Sequence, residues 1–172
     1  DAVRSLDVLV ALGTHRPMPV DRIYRFLGID AAFHAAELPR TRFLNHSWAD
    51  PAQLRTIGTI TAETMSELSG GMLADRIDVK INKLIFEYDH LIIVGPTFPH
   101  EVVGFSGGNK YFFPGIAGPE IIDAFHWLGA LITNRESIGT RYTPVRPVVD
   151  HCPSIGRAHD CIPVPPIARL AA

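Results

Sequence analysis

The sequence contains few cysteines and no long hydrophobic run, and each shortage excludes a class of protein. Its longest apolar stretches, such as LIIV at 91–94, are far too short to span a bilayer. No segment has the basic start and apolar centre of a secretory signal. These features predict a cytoplasmic protein without a membrane partner.

The two cysteines, Cys152 and Cys161, both lie close to the C-terminal end. His151 and His159 are near them, so zinc binding is conceivable, but the paired CxxC or HxxxH spacing of a zinc site is absent. A disulfide between two loops is a further alternative. Two ordinary thiols are the favoured interpretation.

A strong excess of charge of either sign is missing as well. The chain has 16 basic and 18 acidic side chains, for a formal net charge of −2. Such a balance gives no electrostatic reason to expect binding to nucleic acid or to an anionic membrane. With 172 residues, of which 47% are hydrophobic, the chain has the length and composition of one globular domain with a real core.

Continuous apolar runs at 6–13 and 91–95 predict central strands, buried on both faces of a parallel sheet. Further strands are predicted at 40–48 and 54–60, and the alternating IDVKIN at 77–82 indicates a half-exposed strand. Together they favour an α/β fold. We expect a mostly parallel, doubly wound (Rossmann-like) sheet with helices on both faces.

Helices are predicted from Pro19 to Leu27, within 61–75 and over 118–130. The last of these has a buried stripe formed by Ile121, Ile122, Phe125 and Leu128. The chain then becomes rich in proline and loses its periodicity. We therefore predict an α/β domain over 1–147 and an extended tail over 148–172, through which the chain could associate with itself.

Two segments, LVALGTHRP (9–17) and IIVGPTFPH (92–100), share one plan: an apolar strand, a glycine at its end and a histidine beyond it. Ligands of open α/β sheets bind at the carboxyl ends of the strands. His15 and His100 could therefore face one ligand and transfer protons, because imidazole titrates near neutral pH. The alternative is that each histidine caps a strand or bonds to a nearby carbonyl.

The stretch HEVVGFSGGNKYFFPG (100–115) combines closely spaced glycines with Lys110. Glycines at this density allow a ligand to approach the backbone. The stretch is neither a P-loop, since Tyr111 follows the lysine, nor a GxGxxG motif. Lys110 could be an ordinary surface lysine. Its aromatic neighbours instead indicate a partly enclosed amine, whose lowered pKa would allow covalent chemistry.

His126 lies in the middle of the predicted helix 118–130. A histidine in this setting usually occupies the edge of a core, but neutral imidazole is also a common transition-metal ligand. His46, in NHSW, is a weaker catalytic candidate.

Four motifs together resemble the nickel-dependent lactate racemase family. They are GTHRPM (13–18), NHSW (45–48), PHEVVGFSGGNKYFFPGIAGPEII (99–122) and FHWLG (125–129). The resemblance extends over residues 6 to 147, and the long central motif is its most specific part.

The resemblance implies a nickel-pincer nucleotide as cofactor, a modified pyridinium mononucleotide that holds nickel through sulfur, carbon and sulfur. It maps the covalent attachment of this cofactor onto Lys110 and the nickel ligand onto His126. Ser106, Gly107 and Gly108 would lie against the cofactor. Protein made without the cofactor-maturation proteins is expected to lack it.

The implied activity is racemisation or epimerisation of lactate or a related small 2-hydroxy acid, with His15 and His100 as the two acid/base groups. Hydride transfer to the cofactor would give a planar keto acid that can accept the hydride on either face. Two histidines are needed because the two enantiomers present their hydroxyl protons to different sides of the site. The expected partners are the substrate and the maturation proteins.

The sequence departs from the family pattern at both ends. It lacks the acidic and Thr-Arg-Pro motif that precedes the first histidine in the family, and residues 148–172 do not resemble the family's C-terminal domain. We therefore expect a fragment of a longer enzyme, which could be inactive. The alternative is a non-catalytic remnant that binds a nucleotide or a partner chain. A pyridine-nucleotide dehydrogenase is disfavoured because GxGxxG is missing.

Overall fold

The computed structural model describes residues 4–152, which form short strands and helices in alternation. The strands are β1 (Val8–Val10), β2 (Phe43–Asn45), β3 (Leu54–Ile60), β4 (Ile77–Asn82), β5 (Pro99–His100) and β6 (Gly104–Phe105). The helices are α1 (Val20–Leu27), α2 (Ala31–Glu37), α3 (Ala62–Leu68), α4 (Pro119–Leu131), α5 (Asn134–Ser137) and α6 (Arg146–His151). No helix within 4–152 is long and apolar enough to cross a membrane.

The strands pair two by two. β1 and β2 are parallel, with Val8 opposite Phe43. β3 and β4 are antiparallel over their whole length, with Leu54 opposite Asn82, and β5 and β6 form a small antiparallel pair. The described residues therefore form a mixed arrangement of helices and small sheets.

The expected mostly parallel, doubly wound sheet is not formed by residues 4–152, and the segment 91–95 explains much of the difference. This predicted central strand has no regular secondary structure, and its Ile92 and Val94 side chains are 82% and 83% exposed. An apolar run becomes a strand only where another strand pairs with its backbone. No such partner lies beside 91–95 in the described part of the chain.

The predictions for β3, β4, the end of α1 and the buried side of α4 are confirmed. β3 and β4 have the predicted bounds, and the side chains of β4 alternate in burial as its pattern indicated. α1 ends at Gly28 in the left-handed conformation (φ 69°). α4 buries the predicted stripe.

The structure adds helices that the sequence analysis missed. Asp30 caps the start of α2, because its carboxylate accepts the backbone N–H of Phe33. α6 occupies 146–151, so the first residues of the predicted extended tail are helical instead. The remainder of that tail, including Cys161, lies outside the described residues.

The core forms where β4 and α4 pack together with the segment 112–117. Its largest fully buried side chains include Phe113, Phe125, Ile121, Ile81 and Leu128. Cys152 also belongs to this core. Burial raises the pKa of its thiol to about 12, so the thiol stays protonated and is poorly suited to bind zinc.

Replacing Leu128 by Ala should lower the free energy of unfolding by about 2–5 kcal/mol, because the fully buried side chain would leave a cavity. Leu131→Ala is the matched control. The same change on the exposed side of the same helix should cost only about 0.5 kcal/mol. Urea unfolding of both variants measures the difference, and equal losses would contradict the assigned packing of α4.

Candidate active site

One cavity of about 310 Å³ brings together the residues that the sequence analysis selected for chemistry. His15, His100, Lys110 and His126 all line it. They come from four separate places: the turn after β1, strand β5, the glycine-rich loop and helix α4. The two predicted acid/base histidines therefore open onto the same space as the lysine and the predicted metal ligand.

The loop 114–118 connects several of these places. It lies between the glycine-rich loop and α4, and its backbone is hydrogen-bonded to the ends of β1 and β4. The bonds run from Gly13 N–H to the Gly115 carbonyl (2.8 Å), from Asn82 N–H to the Ile116 carbonyl (2.9 Å) and from Gly118 N–H to the Lys80 carbonyl (2.9 Å). The turn that carries His15 is thus fixed to the same loop that connects Lys110 to α4.

The glycine-rich loop has a conformation that requires glycine at Gly107. Its φ is 91°, and a Cβ atom there would overlap the Thr97 hydroxyl. Ser106 is buried, and its hydroxyl donates to the Pro96 carbonyl (3.2 Å) and accepts the Phe98 N–H (2.9 Å). Ser106 and Gly107 line the cavity, but the serine hydroxyl is used to shape the loop.

Gly108 lines a neighbouring cavity of about 510 Å³ rather than the one that holds the histidines. A Cβ built at Gly108 would lie 3.6 Å from Arg146 Nη2. The backbone N–H groups of Gly107, Gly108 and Asn109 have no hydrogen-bond partner among residues 4–152. This turn therefore presents free donors next to a guanidinium group, as anion-binding loops do.

Lys110 is half-buried, and its amine forms no hydrogen bond or ion pair with the rest of the described chain. Burial is the main reason that its pKa is lowered, and the Arg146 charge acts in the same direction. The carboxylate of Glu101 partly opposes the shift. The amine of Lys110 is therefore partly enclosed, as its aromatic neighbours in the sequence indicated.

His100 has a lowered pKa, chiefly because of burial, with further contributions from the charges of Lys110 and His126. Its Nδ1 accepts the backbone N–H of Val102 (3.0 Å) and lies 3.8 Å from a Glu101 oxygen. A neutral ring with Nδ1 as acceptor carries its proton on Nε2. The resting His100 therefore offers an N–H donor at Nε2.

His126 lies on the exposed edge of α4, while its neighbours Ile122 and Phe125 are buried. Its Nδ1–H donates to the Ile122 carbonyl (2.8 Å), which fixes the proton on Nδ1 and leaves the Nε2 lone pair free. A backbone carbonyl commonly orients metal-binding histidines in this way. Residues 4–152 hold no cluster of three or more His, Cys, Asp or Glu side chains able to bind a metal, so these side chains alone do not form a complete metal site around His126.

His15 is exposed, and its backbone N–H closes a turn onto the Leu12 carbonyl (3.0 Å). Its side chain forms no hydrogen bond within the described residues. The ring is therefore not held in a strand-capping bond, which was the alternative to a role in proton transfer.

One contributor to this site was not predicted from the sequence. Glu101 lines the cavity, and its charge raises the pKa of both His100 and Lys110. The adjacency of Glu101 to His100 was the available signal.

His46, a weaker catalytic candidate from the sequence, is not part of the cavity lining. It is fully buried and bonds to the loop 114–118, a contact that no local pattern could have indicated.

The model of the lactate racemase N-terminal domain matches residues 2–139 of this sequence. The chain belongs to this family. Two lactate racemases are among the similar proteins. That of Thermoanaerobacterium thermosaccharolyticum is 32% identical over 122 residues, and that of Lactiplantibacillus plantarum is 33% identical over 119 residues. The resemblance inferred from the four motifs is thus confirmed.

The lactate racemase N-terminal domain fold is also found in solved structures. A Thermotoga maritima protein superposes on 89% of this chain with a TM-score of 0.80 and 36% identity, over 36% of its own chain. The lactate racemase apoprotein of T. thermosaccharolyticum superposes on 86% with a TM-score of 0.64 and 25% identity, over 31% of its own chain.

The two curated lactate racemases are much longer than the part matched here. The alignments cover 71% and 69% of this chain but only 24% of each relative. The chain therefore spans about a quarter of the length of these relatives.

Labelling of Lys110 by an amine-reactive reagent should have a pH midpoint below 10.5, because burial favours the neutral amine. Glu101→Gln should move this midpoint lower still, since it removes a charge that stabilises the ammonium form. Peptide mass spectrometry across a pH series measures both, with the exposed Lys83 as internal reference. A midpoint at or above 10.5 would contradict the enclosed environment.

Acid should destabilise the chain through its histidines. Burial lowers the pKa of His46 and of His100 below 6.5, so between the folded and unfolded pKa values the unfolded chain binds more protons. The stability is fully present above pH 6.5 and is lost as the pH falls through the folded pKa values. Urea unfolding from about pH 8 to about pH 5 should show the decline. His100→Gln should make it less steep, and an unchanged slope would argue against a contribution from His100.

Proposed function

We propose that this chain is the cofactor-binding and proton-transferring part of a racemase or epimerase that acts on lactate or a related small 2-hydroxy acid. The observation that carries the proposal is the shared cavity, into which His15, His100, Lys110 and His126 all open. The names of the related lactate racemases support the reaction class.

The residues present fit a nickel-pincer nucleotide. Lys110 provides an unpaired amine of lowered pKa for a covalent bond, and His126 provides a free Nε2 lone pair for nickel. The free N–H groups around Gly107 and Gly108, with Arg146 beside them, suit the anionic part of a nucleotide. Since the described side chains do not form a complete metal site, the cofactor would provide most of the ligands to the metal.

When bound, such a cofactor would take up the α-hydrogen of the substrate as hydride and return it to either face of the keto acid. The two histidines would handle the accompanying proton. For one enantiomer, a neutral imidazole accepts the hydroxyl proton at a ring nitrogen, and the other imidazole, which carries an extra proton beforehand, supplies it to the keto oxygen on return. For the opposite enantiomer the two roles are exchanged.

Glu101 would help His100 whenever Nδ1 carries a proton. The resting His100 has its proton on Nε2 and accepts at Nδ1. To act as base at Nε2, His100 must move its resting proton from Nε2 to Nδ1, and to act as acid it must carry a proton on both nitrogens. The Glu101 carboxylate, 3.8 Å from Nδ1, is the nearby group that could accept that new N–H. The lowered pKa of His100 keeps the neutral form available at neutral pH.

Loading the 172-residue chain with cofactor tests the proposal. Co-expression with the cofactor-maturation proteins should give an adduct by intact-mass spectrometry and bound nickel by elemental analysis. Lys110→Ala should abolish the adduct, because it removes the attachment amine, whereas Lys83→Ala should leave it unchanged. An equal adduct yield in Lys110→Ala would refute the attachment site.

His126→Ala should remove nickel from the loaded chain while most of the Lys110 adduct remains. Retained nickel would mean that another group holds the metal. Chiral chromatography after incubation with one lactate enantiomer tests the reaction itself. A loaded chain without racemase activity would favour the alternative of a non-catalytic remnant that binds a nucleotide.

A further inference from the structure

His46 is a buried polar residue that the proposed chemistry does not use. Its side chain is 2% exposed, and both of its ring nitrogens are hydrogen-bonded. Nε2 lies 2.9 Å from the Ala117 carbonyl oxygen, and Nδ1 lies 3.1 Å from Asn82 Nδ2. A histidine in an apolar core needs partners for its nitrogens, but these partners lie far from it in sequence.

The direction of these hydrogen bonds is determined by their partners. The Ala117 carbonyl can only accept, so the proton of the ring is on Nε2. The Asn82 amide oxygen accepts the backbone N–H of Leu84 (3.0 Å), so its NH₂ group faces His46. The unprotonated Nδ1 therefore accepts from Asn82. A neutral ring gives the Ala117 carbonyl a donor and the Asn82 NH₂ group an acceptor. Burial lowers the pKa of His46, which also favours the neutral ring.

The bonds of His46 connect three parts of the site. Its backbone N–H donates to the carbonyl of Val10 (3.2 Å), at the end of the strand that leads to His15. Through Asn82 its ring reaches the end of β4. Through Ala117 it holds the residue just before Gly118, which begins α4 and so sets the start of the helix carrying His126.

We propose that His46 is a positioning residue, which keeps the loop 114–118 in place so that Lys110 and His126 face one cavity. The part of this inference that concerns cofactor loading rests on the proposed function. The part that concerns the geometry of Lys110 does not.

The volume of the side chain does not by itself explain why a histidine occupies position 46. A leucine would fill much of the same volume but would leave the Ala117 carbonyl and the Asn82 NH₂ buried without partners. A glutamine could satisfy both, because its amide has one donor end and one acceptor end at a comparable reach. An asparagine is one bond shorter and could not span the two groups.

The first experiment uses the chain without cofactor. In His46→Leu, loosening of the loop should expose Lys110 to water and raise its labelling midpoint toward 10.5. His46→Gln should keep the low midpoint of the unchanged chain. Met65→Ala, a core change outside the cavity lining, controls for a general loss of stability and should also keep it.

The second experiment measures bound nickel after co-expression with the maturation proteins. Loss of the fixed geometry in His46→Leu should lower the nickel content at least about tenfold, as loss of supporting hydrogen bonds around metal sites does. His46→Gln should retain most of it. Nitrogen-15 NMR of the His46 ring should also show the proton on Nε2.

Each outcome decides the proposal. The proposal would be overturned if the labelling midpoint of Lys110 stayed low in His46→Leu, or if it rose equally in Met65→Ala. A proton on Nδ1 of His46 would also overturn it. If His46→Leu does not fold, His46→Gln and His46→Asn replace it, and equal midpoints in those two variants would overturn the proposal. Failure of the unchanged chain to bind cofactor would refute the proposed function, while the Lys110 midpoints would still decide the role of His46.

Discussion

The arrangement of this protein depends on how the loop 114–118 is fastened. Its carbonyls and N–H groups are paired with the ends of β1 and β4 and with the ring of His46. Because the loop is buried, an unpaired backbone group there would be costly, and the hydrogen bonds allow little displacement. The glycine-rich loop precedes this fixed point in the chain and α4 follows it, and their residues Lys110 and His126 line the same cavity.

The electrostatics of the cavity follow from this packing. Lys110, His100 and the neighbouring Arg146 are potential cations held close together in a partly enclosed space, which favours the neutral forms of the lysine and the histidine. Glu101 moderates the effect from the rim. The lowered pKa values make the neutral amine and the neutral imidazole more accessible, and these are the forms that the proposed covalent attachment and proton abstraction would use.

Much of the candidate site could be predicted from the sequence because its residues lie in distinctive local patterns. The glycine at the end of each apolar run, the histidines beyond it and the crowded glycines before Lys110 are visible without a structure. Gly108 shows the limit of such patterns. It stands next to Gly107 in the sequence, but Gly107 lines both cavities, whereas Gly108 lines the neighbouring one and not the one that holds the histidines.

The sequence by itself determined the elements whose stability is local: α4 with its proline start and buried stripe, and the alternating strand β4. It also identified the family and the chemical types of the site residues. Only the tertiary structure decided that 91–95 forms no strand, because strand formation requires a partner that local sequence does not specify. It alone revealed the contacts of His46, since the groups that satisfy its buried imidazole come from segments separated from it by 36 and 71 positions in the chain.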